Sequence, residues 1–189
     1  MCSSDLTPGR PAVVGWIGSP ENLAEIGVCE QALRRLVAAG DVTLLVVSSR
    51  TTHLPNLPLQ FVPWSIEAEP AAVSGFDIGI MPLRDTARTR GRCGFKAIEC
   101  MAAGVPVVAS PVRGPSEVVS HGVTGYLAAD DAEWEARLQE LAGDHELRSR
   151  MGRAGRERVA AAYSAAAWAP RLAALLEARA ARGSHLGTA

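Results

Sequence analysis

The chain has 189 residues, of which 48% are hydrophobic and 21% are charged. This length and composition are typical of one globular domain and exclude a disordered or low-complexity chain. The net charge of −1 argues against a nucleic-acid partner and against a strongly basic membrane-binding surface.

Six short apolar runs alternate with helical patterns, which is typical of an open parallel sheet covered by helices on both faces. The predicted fold class is therefore α/β, a doubly wound parallel sheet followed by C-terminal helices. Ligands bind such sheets at the carboxyl ends of the strands. The predicted strands are 12–17, 42–48, 59–64, 77–83, 105–110 and 124–127. The predicted helices are 21–39, 67–74, 94–103, 115–120, 132–142, 144–162 and 165–180.

Both ends of the chain differ from this pattern. Residues 1–11 carry turn-forming residues without periodicity and are predicted to be a disordered lead or linker, residues 12–181 to be one domain, and residues 182–189 to be a disordered tail. The last helix carries an apolar stripe that either packs on its own sheet or faces a surface outside this chain. The stripe consists of Leu172, Leu175 and Leu176.

The cysteines and histidines give no sign of a metal site. No two of the four cysteines are spaced as C-x-x-C, and the four histidines lack a second ligand at helical spacing. We recognise no signal peptide and no apolar run of about 18 residues, so we expect a cytoplasmic protein.

The first predicted strand ends in Gly15-Trp16-Ile17-Gly18-Ser19-Pro20. Backbone amides and a helix N-terminus at this position can bind phosphate. The G-x-G-x-x-G fingerprint of dinucleotide-binding proteins is absent, because only Gly15 and Gly18 are present. A 2′-phosphate site at Arg50, after the second strand, is therefore a weak alternative.

A basic loop, residues 84–94, follows the fourth predicted strand. It holds four arginines (84, 88, 90 and 92) and one acidic residue, Asp85, so it is either an anion site or a solvated loop. The chain's single lysine, Lys96, lies in the first turn of the next helix, where the macrodipole disfavours a cation unless an anion binds there. Glu99 can accept hydrogen bonds from vicinal hydroxyls or form an ordinary i, i+3 ion pair with Lys96.

Residues 91–112 and 114–127 resemble the donor-binding half of the group 1, family 4 glycosyltransferases. The family pattern is a Glu, seven residues, a second Glu, an Ala-Met-Ala-x-Gly-x-Pro-Val-Val-Ala-Ser segment, and a later Glu before a Gly-x-x-Gly turn. Glu99 stands at the second Glu, residues 101–110 follow it, and Glu117 precedes the turn at 122–125. The resemblance covers residues 12–170 and implies a Rossmann-like domain that forms one half of a GT-B architecture.

The resemblance also implies a function. The family transfers a sugar from a nucleotide-sugar with retention of configuration, and needs no cofactor beyond that substrate. Here the N-terminal acceptor domain is missing, so we expect the isolated chain to be inactive, and membrane association would be peripheral and would come through the full-length enzyme. By resemblance, Lys96 and Arg92 would be catalytic and neutralise the diphosphate, Glu99 would hold the ribose, and Gly94 and Phe95 would lie beside the sugar and phosphates.

The other donor-binding residues that the resemblance implies lie at strand ends and helix starts. Trp64 and the residue before it would lie near the base, and Arg113 is otherwise a surface arginine. These residues are Gly15, Gly18, Ser19, Pro63, Trp64, Arg113 and Gly114.

Two departures from the family pattern matter. Gly91 stands where the family's first Glu contacts the donor sugar, and residues 15–20 lack a cation. Either the phosphate cations have moved to residues 84–96 or the donor binds more weakly. We favour relocation, because the basic loop is otherwise unexplained.

Two other functions stay open. The chain could bind a nucleotide or a partner domain without catalysis, or it could belong to a nucleotide-sugar epimerase of the same two-domain fold. An acceptor domain elsewhere in the reading frame would argue against non-catalytic binding. Analysis of the products formed from the donor alone would test the epimerase function.

Overall fold

The computed structural model describes residues 10–50 and 57–183, with side chains described as far as residue 180. The predicted disordered lead and tail therefore lie outside the described residues, except for residues 10–11 and 182–183.

One parallel sheet with the strand order β3-β2-β1-β4-β5-β6 forms the centre of the fold. From β1 the chain adds β2 and β3 on one side of the sheet, and it then adds β4, β5 and β6 on the other side. The order therefore reverses between β1 and β4, and a crevice opens at their carboxyl ends. This confirms the predicted α/β, Rossmann-like doubly wound fold. The strands are Ala12–Ile17 (β1), Val42–Ser48 (β2), Gln60–Pro63 (β3), Ile78–Met81 (β4), Val107–Ala109 (β5) and Gly125–Leu127 (β6).

Helices cover both faces of the sheet, which is why the central strands are continuous apolar runs. Val14, Val46 and Ile78 are completely buried at the middle of the sheet. In the described part of the chain the α-helices are Glu30–Ala39 (α1), Glu69–Ser74 (α2), Ala87–Arg90 (α3), Phe95–Ala102 (α4), Arg113–Val118 (α5), Asp131–Gly143 (α6), His145–Ala162 (α7) and Ala165–Gly183 (α8).

The segment after β1 differs from the prediction of one helix over 21–39. Pro20–Val28 forms a 3-10 helix, and α1 begins only at Glu30. Pro20, Leu23 and Ile26 are buried at intervals of three residues, which is the period of a 3-10 helix. The apolar residues of this segment thus follow a period of 3.0, whereas the prediction assumed 3.6.

The basic loop also contains structure that was not predicted. Helix α3 lies within it and begins with a capping box between Thr86 and Thr89. The amide of Thr89 donates to the Thr86 hydroxyl at 3.2 Å, and the amide of Thr86 donates to the Thr89 hydroxyl at 2.9 Å. This local pairing fixes the path of the chain between β4 and α4.

The apolar stripe of α8 does not pack on the sheet. Leu172, Leu175 and Leu176 are 57%, 67% and 62% exposed. One 18-residue window within His145–Ala180 has a mean hydropathy of 1.3, so by length and composition alone this helical stretch could cross a membrane. Alanines raise this average, and Ser164 and Arg171 interrupt the apolar residues, so the window differs from the continuous apolar run that the sequence analysis looked for. The helical stretch is interrupted at Tyr163, where α7 ends.

Helix α7 contacts the end of α4 through Gly152. A Cβ at Gly152 would lie 2.0 Å from the carbonyl oxygen of Gly104, whereas a Cβ at Gly143 would meet nothing within 4 Å. We expect Gly152→Ala to lower the free energy of unfolding by about 1–3 kcal/mol, because the helices must separate. Gly143→Ala, the matched control, should raise it by about 0.4–1 kcal/mol. Urea denaturation measures both, and equal effects would contradict the close contact.

Candidate functional site

A cavity of about 480 Å³ lies at the carboxyl ends of β1 and β4, and we call it the main cleft. A smaller cavity of about 280 Å³ adjoins it on the side of β2 and β3, and we call it the side pocket. Both are lined by Gly18, Ser19 and Lys96. Their combined size is typical of a site for a nucleotide or a similar small molecule.

The first wall of the main cleft is the end of β1 and the 3-10 helix. Three residues per turn place Ser19, Asn22 and Glu25 on one face of this helix, and all three line the main cleft. The Asn22 amide donates to the Ser19 hydroxyl at 2.8 Å. A Cβ at Gly18 would lie 2.8 Å from the Trp16 ring, so glycine allows the chain to turn closely over that ring.

The second wall is the turn from α3 into α4. Arg92 is half-buried there, and its guanidinium donates to the side-chain oxygen of Asn22 on the opposite wall. Phe95 and Lys96 line the same cleft from the first turn of α4. No side chain caps this end of α4, so its first amides are left for a ligand to satisfy.

Two glycines hold this turn in place. Gly94 begins α4 with φ of +73°, a left-handed conformation that glycine adopts without steric cost. A Cβ at Gly114, on α5, would lie 1.7 Å from the carbonyl oxygen of Arg92. Gly114 therefore does not line the cleft, but its missing side chain allows α5 to support the backbone that carries Arg92.

Lys96 lies between two carboxylates. Its Nζ is 2.6 Å from Glu99 and 3.2 Å from Glu69. Glu69 also accepts a hydrogen bond from the indole of Trp64, which lines the side pocket. The i, i+3 ion pair is therefore present, and it belongs to a larger network that links the end of β3 to α4.

The two carboxylates of this network differ in proton affinity. Burial, followed by the hydrogen bond with Glu69, raises the pKa of Glu99 to about 7, against the effect of Lys96. The hydrogen bond from Glu99 lowers the pKa of Glu69. Burial opposes the charge of Lys96, but contacts with Glu99 and Glu69 outweigh it and raise the pKa of Lys96. Of the two carboxylates, Glu99 is therefore the one that holds a proton to the higher pH.

This raised pKa makes stability depend on pH. Between pH 4.5, the ordinary pKa of a Glu carboxyl, and pH 7, the folded chain keeps a proton on Glu99 that the unfolded chain has lost. The free energy of unfolding should therefore fall as the pH rises through this range, on the order of 1–3 kcal/mol. Glu99→Gln should remove this dependence, and Glu157→Gln on the exposed side of α7 should not. Urea denaturation from pH 4.5 to 8 tests this, and parallel curves for the wild type and Glu99→Gln would contradict it.

Several predicted site residues lie elsewhere. A Cβ at Gly15 would overlap the Phe76 ring at 2.0 Å, so this glycine serves packing inside the sheet. Pro63 is exposed at the end of β3 and lines neither cavity. Arg113 is exposed and pairs with Glu117 on its own helix at 3.2 Å, which matches the alternative of a surface arginine.

Most of the basic loop also points away from the cleft. Arg84 donates to the carbonyl of Ala24 at 2.9 Å, and Arg90 forms two hydrogen bonds to Asp85. Of the four arginines, only Arg92 lines the main cleft. Arg50 lies 3.6 Å from Glu21. The cations of the cleft are therefore Arg92 and Lys96.

Three polar residues of the site were not predicted: Asn22, Glu25 and Glu69. The first two follow from the period of three in the 3-10 helix, a signal that is present in the sequence. Glu69 is brought to Lys96 by the packing of α2 near α4, and no local pattern indicates it. Among residues 10–50 and 57–183, no three His, Cys, Asp or Glu side chains form a group that could hold a metal ion.

Comparison with known proteins identifies the family. The model of the family "Glycosyl transferases group 1" matches residues 11–144. The chain belongs to this family of glycosyltransferases. It spans only 14% to 26% of the length of the curated relatives that it matches.

One similar relative is the alpha-1,3/1,6-mannosyltransferase alg-2 of Neurospora crassa. It is 37% identical over 89 residues, which cover 44% of this chain and 19% of the relative.

Two solved structures share the fold. HepE from Anabaena, solved with UDP and glucose, has a TM-score of 0.74 and 18% identity, over 89% of this chain and 49% of HepE. The C-terminal domain of the group 1 glycosyl transferase LpcC from Francisella tularensis has a TM-score of 0.63 and 18% identity. That alignment covers 82% of this chain and 89% of the LpcC domain, so most of the chain shares the fold of that domain.

Proposed function

We propose that this chain is the donor-binding domain of a retaining glycosyltransferase that uses a nucleotide-sugar. The observation that carries the proposal is the main cleft, where the uncapped N-terminus of α4 and the cations Arg92 and Lys96 meet at the reversal of strand order. HepE, which was solved with UDP and glucose, supports the choice of ligand.

In this proposal the diphosphate lies on the first turn of α4. Lys96 has three donor hydrogens, of which Glu99 and Glu69 engage two, so the third is available to a phosphate oxygen. Arg92 contributes its remaining guanidinium donors from the same wall. As the bond between sugar and phosphate breaks, these groups stabilise the charge that grows on the departing nucleoside diphosphate. The proposal assigns no metal or further cofactor to this domain.

The ribose and base occupy the part of the site nearer β3. Glu99 has a side chain only 20% exposed, and it accepts hydrogen bonds from the ribose hydroxyls. Trp64, which lines the side pocket and is 43% exposed, lies beside the base. In this arrangement the sugar is left in the main cleft, where an acceptor can reach it.

The acceptor domain lies outside this chain in our proposal. The chain covers 19% of the Neurospora mannosyltransferase, and α8 exposes its apolar stripe. An N-terminal domain of the full-length enzyme would supply the acceptor wall and the surface that covers this stripe. Peripheral membrane association would also occur through the full-length enzyme.

Lys96→Ala should weaken binding of a nucleoside diphosphate. A hydrogen bond to a charged group contributes about 1.5–3 kcal/mol, so the affinity for UDP or GDP should fall by about tenfold to a hundredfold. Arg34→Ala is the matched control, because Arg34 pairs with Glu30 on the surface of α1. Calorimetric titration measures both variants, and an unchanged affinity in Lys96→Ala would refute its assigned role.

The isolated chain should bind donor but transfer no sugar. Without a second wall, the acceptor is not positioned, and orientation can contribute about 7–11 kcal/mol to catalysis. The test incubates the chain with a panel of nucleotide-sugars and with sugar and lipid acceptors. Acceptor-dependent product at ordinary enzyme rates would show that the second domain is not needed.

A further inference from the structure

We propose that Glu25 recognises the hydroxyl groups of the donor sugar and so determines which sugar this domain accepts. This inference rests on the proposed function and adds a residue to it. Within the described parts of the chain, Glu25 is the one carboxylate that lines the main cleft. Sugar hydroxyls donate to carboxylate oxygens, which have several acceptor positions each.

The 3-10 helix places Glu25 on the face that lines the main cleft. Asn22 and Glu25 are one turn apart on the same face, and a 3-10 turn rises about 6 Å. Because Asn22 contacts Arg92 across the cleft, Glu25 stands one turn beyond the cation that we assign to the diphosphate. In the proposed function the ribose lies towards β3 and the phosphates lie at Arg92. The sugar, which follows the phosphates, therefore lies towards Glu25.

The Glu25 carboxylate is fixed at one oxygen and available at the other. Its Oε2 accepts the backbone amide of Arg84 at 2.9 Å. The Arg84 guanidinium turns away to the carbonyl of Ala24, and no ion pair to Glu25 occurs in the described part of the chain. Oε1 is therefore left as a charged acceptor on a half-buried side chain that one hydrogen bond already orients.

Charge along the cleft separates the two ends of the donor. Arg92 and Lys96 attract the phosphates, and Glu25 repels them while accepting hydroxyls. Gly91, on the facing wall, has no side chain to occupy the space in between. A donor is thereby held in one orientation, with its sugar towards Glu25.

Titrations of the full chain with UDP, GDP, UDP-glucose and GDP-mannose test this role. The readout is the ratio of the affinity for a sugar nucleotide to that for its nucleoside diphosphate. We expect Glu25→Gln to leave the nucleoside diphosphate affinity within about twofold and to lower the ratio by about tenfold or more for the preferred sugar. Glu21→Gln is the matched control, because Glu21 lies on the exposed side of the same helix.

The outcomes separate the two proposals. Absence of nucleotide binding by the wild type would overturn the proposed function and this inference together. An unchanged ratio in Glu25→Gln, with nucleotide binding intact, would overturn this inference alone. Equal losses for the nucleotide and the sugar nucleotide would assign Glu25 to support of the Arg84 loop, and would also overturn it.

A second variant separates recognition from loop support. Gly91 has φ of −82°, and a Cβ there would lie 3.5 Å from the Arg88 carbonyl oxygen, which is ordinary contact. Gly91→Glu in the otherwise unchanged chain therefore adds a second carboxylate to the cleft without touching the Glu25 contact with the Arg84 amide. Glu25→Ala removes both the charge and the acceptor for that amide, whereas Glu25→Gln keeps a side-chain oxygen for it. Similar losses of the ratio in both Glu25 variants support contact with the sugar, and a loss in Glu25→Ala alone would assign Glu25 to the loop and overturn the proposal.

Discussion

The reversal of strand order between β1 and β4 is the constraint on which the site depends. The chain leaves β1 and β4 towards opposite sides of the sheet. The segments that follow the two strands therefore diverge and leave a cleft at the carboxyl ends of the strands. The chain places its 3-10 helix on one side and the turn into α4 on the other. The charged side chains of the main cleft, Glu25, Arg92 and Lys96, belong to these two segments.

The geometry of both segments is fixed by backbone contact. Gly114 lets α5 approach the Arg92 carbonyl, and Gly94 lets the chain enter α4 in a left-handed conformation. On the other wall, Gly18 turns over Trp16. Larger residues at these positions would move the walls, since backbone cannot yield as a flexible side chain can. The glycines thus act on the site without touching a ligand.

Much of the fold could be predicted from sequence, because six buried strands of a parallel sheet read as apolar runs separated by helical patterns. The prediction of one helix over 21–39 failed at residues 20–28, where the apolar residues follow the three-residue period of a 3-10 helix. Leu23 and Ile26 fit a helix of 3.6 residues per turn only loosely, but with Pro20 they fit a period of three. That error concealed Asn22 and Glu25, whose position on the cleft face follows from the shorter turn.

Other parts of the site depend on long-range packing. Glu69 is 27 residues from Lys96 in sequence, and no local pattern shows that α2 delivers it there. Arg84, Arg90 and Arg92 look equivalent in sequence, yet Asp85 and the Ala24 carbonyl engage two of them. The sequence shows a basic loop, but contacts within the loop and with the 3-10 helix decide which cation faces the cleft.

Lys96 shows how this packing settles a conflict within one helix. A cation in the first turn opposes the macrodipole, and the chain offsets that cost with two carboxylates rather than with a capping side chain. Because Glu99 keeps its proton until about pH 7, the network of Lys96, Glu69 and Glu99 carries no net charge below that pH and a net negative charge above it. The first amides of α4 then provide the positive potential that such a network cannot supply alone. An anion in the main cleft is therefore held by the helix end, by Arg92 and by the third donor hydrogen of Lys96 together.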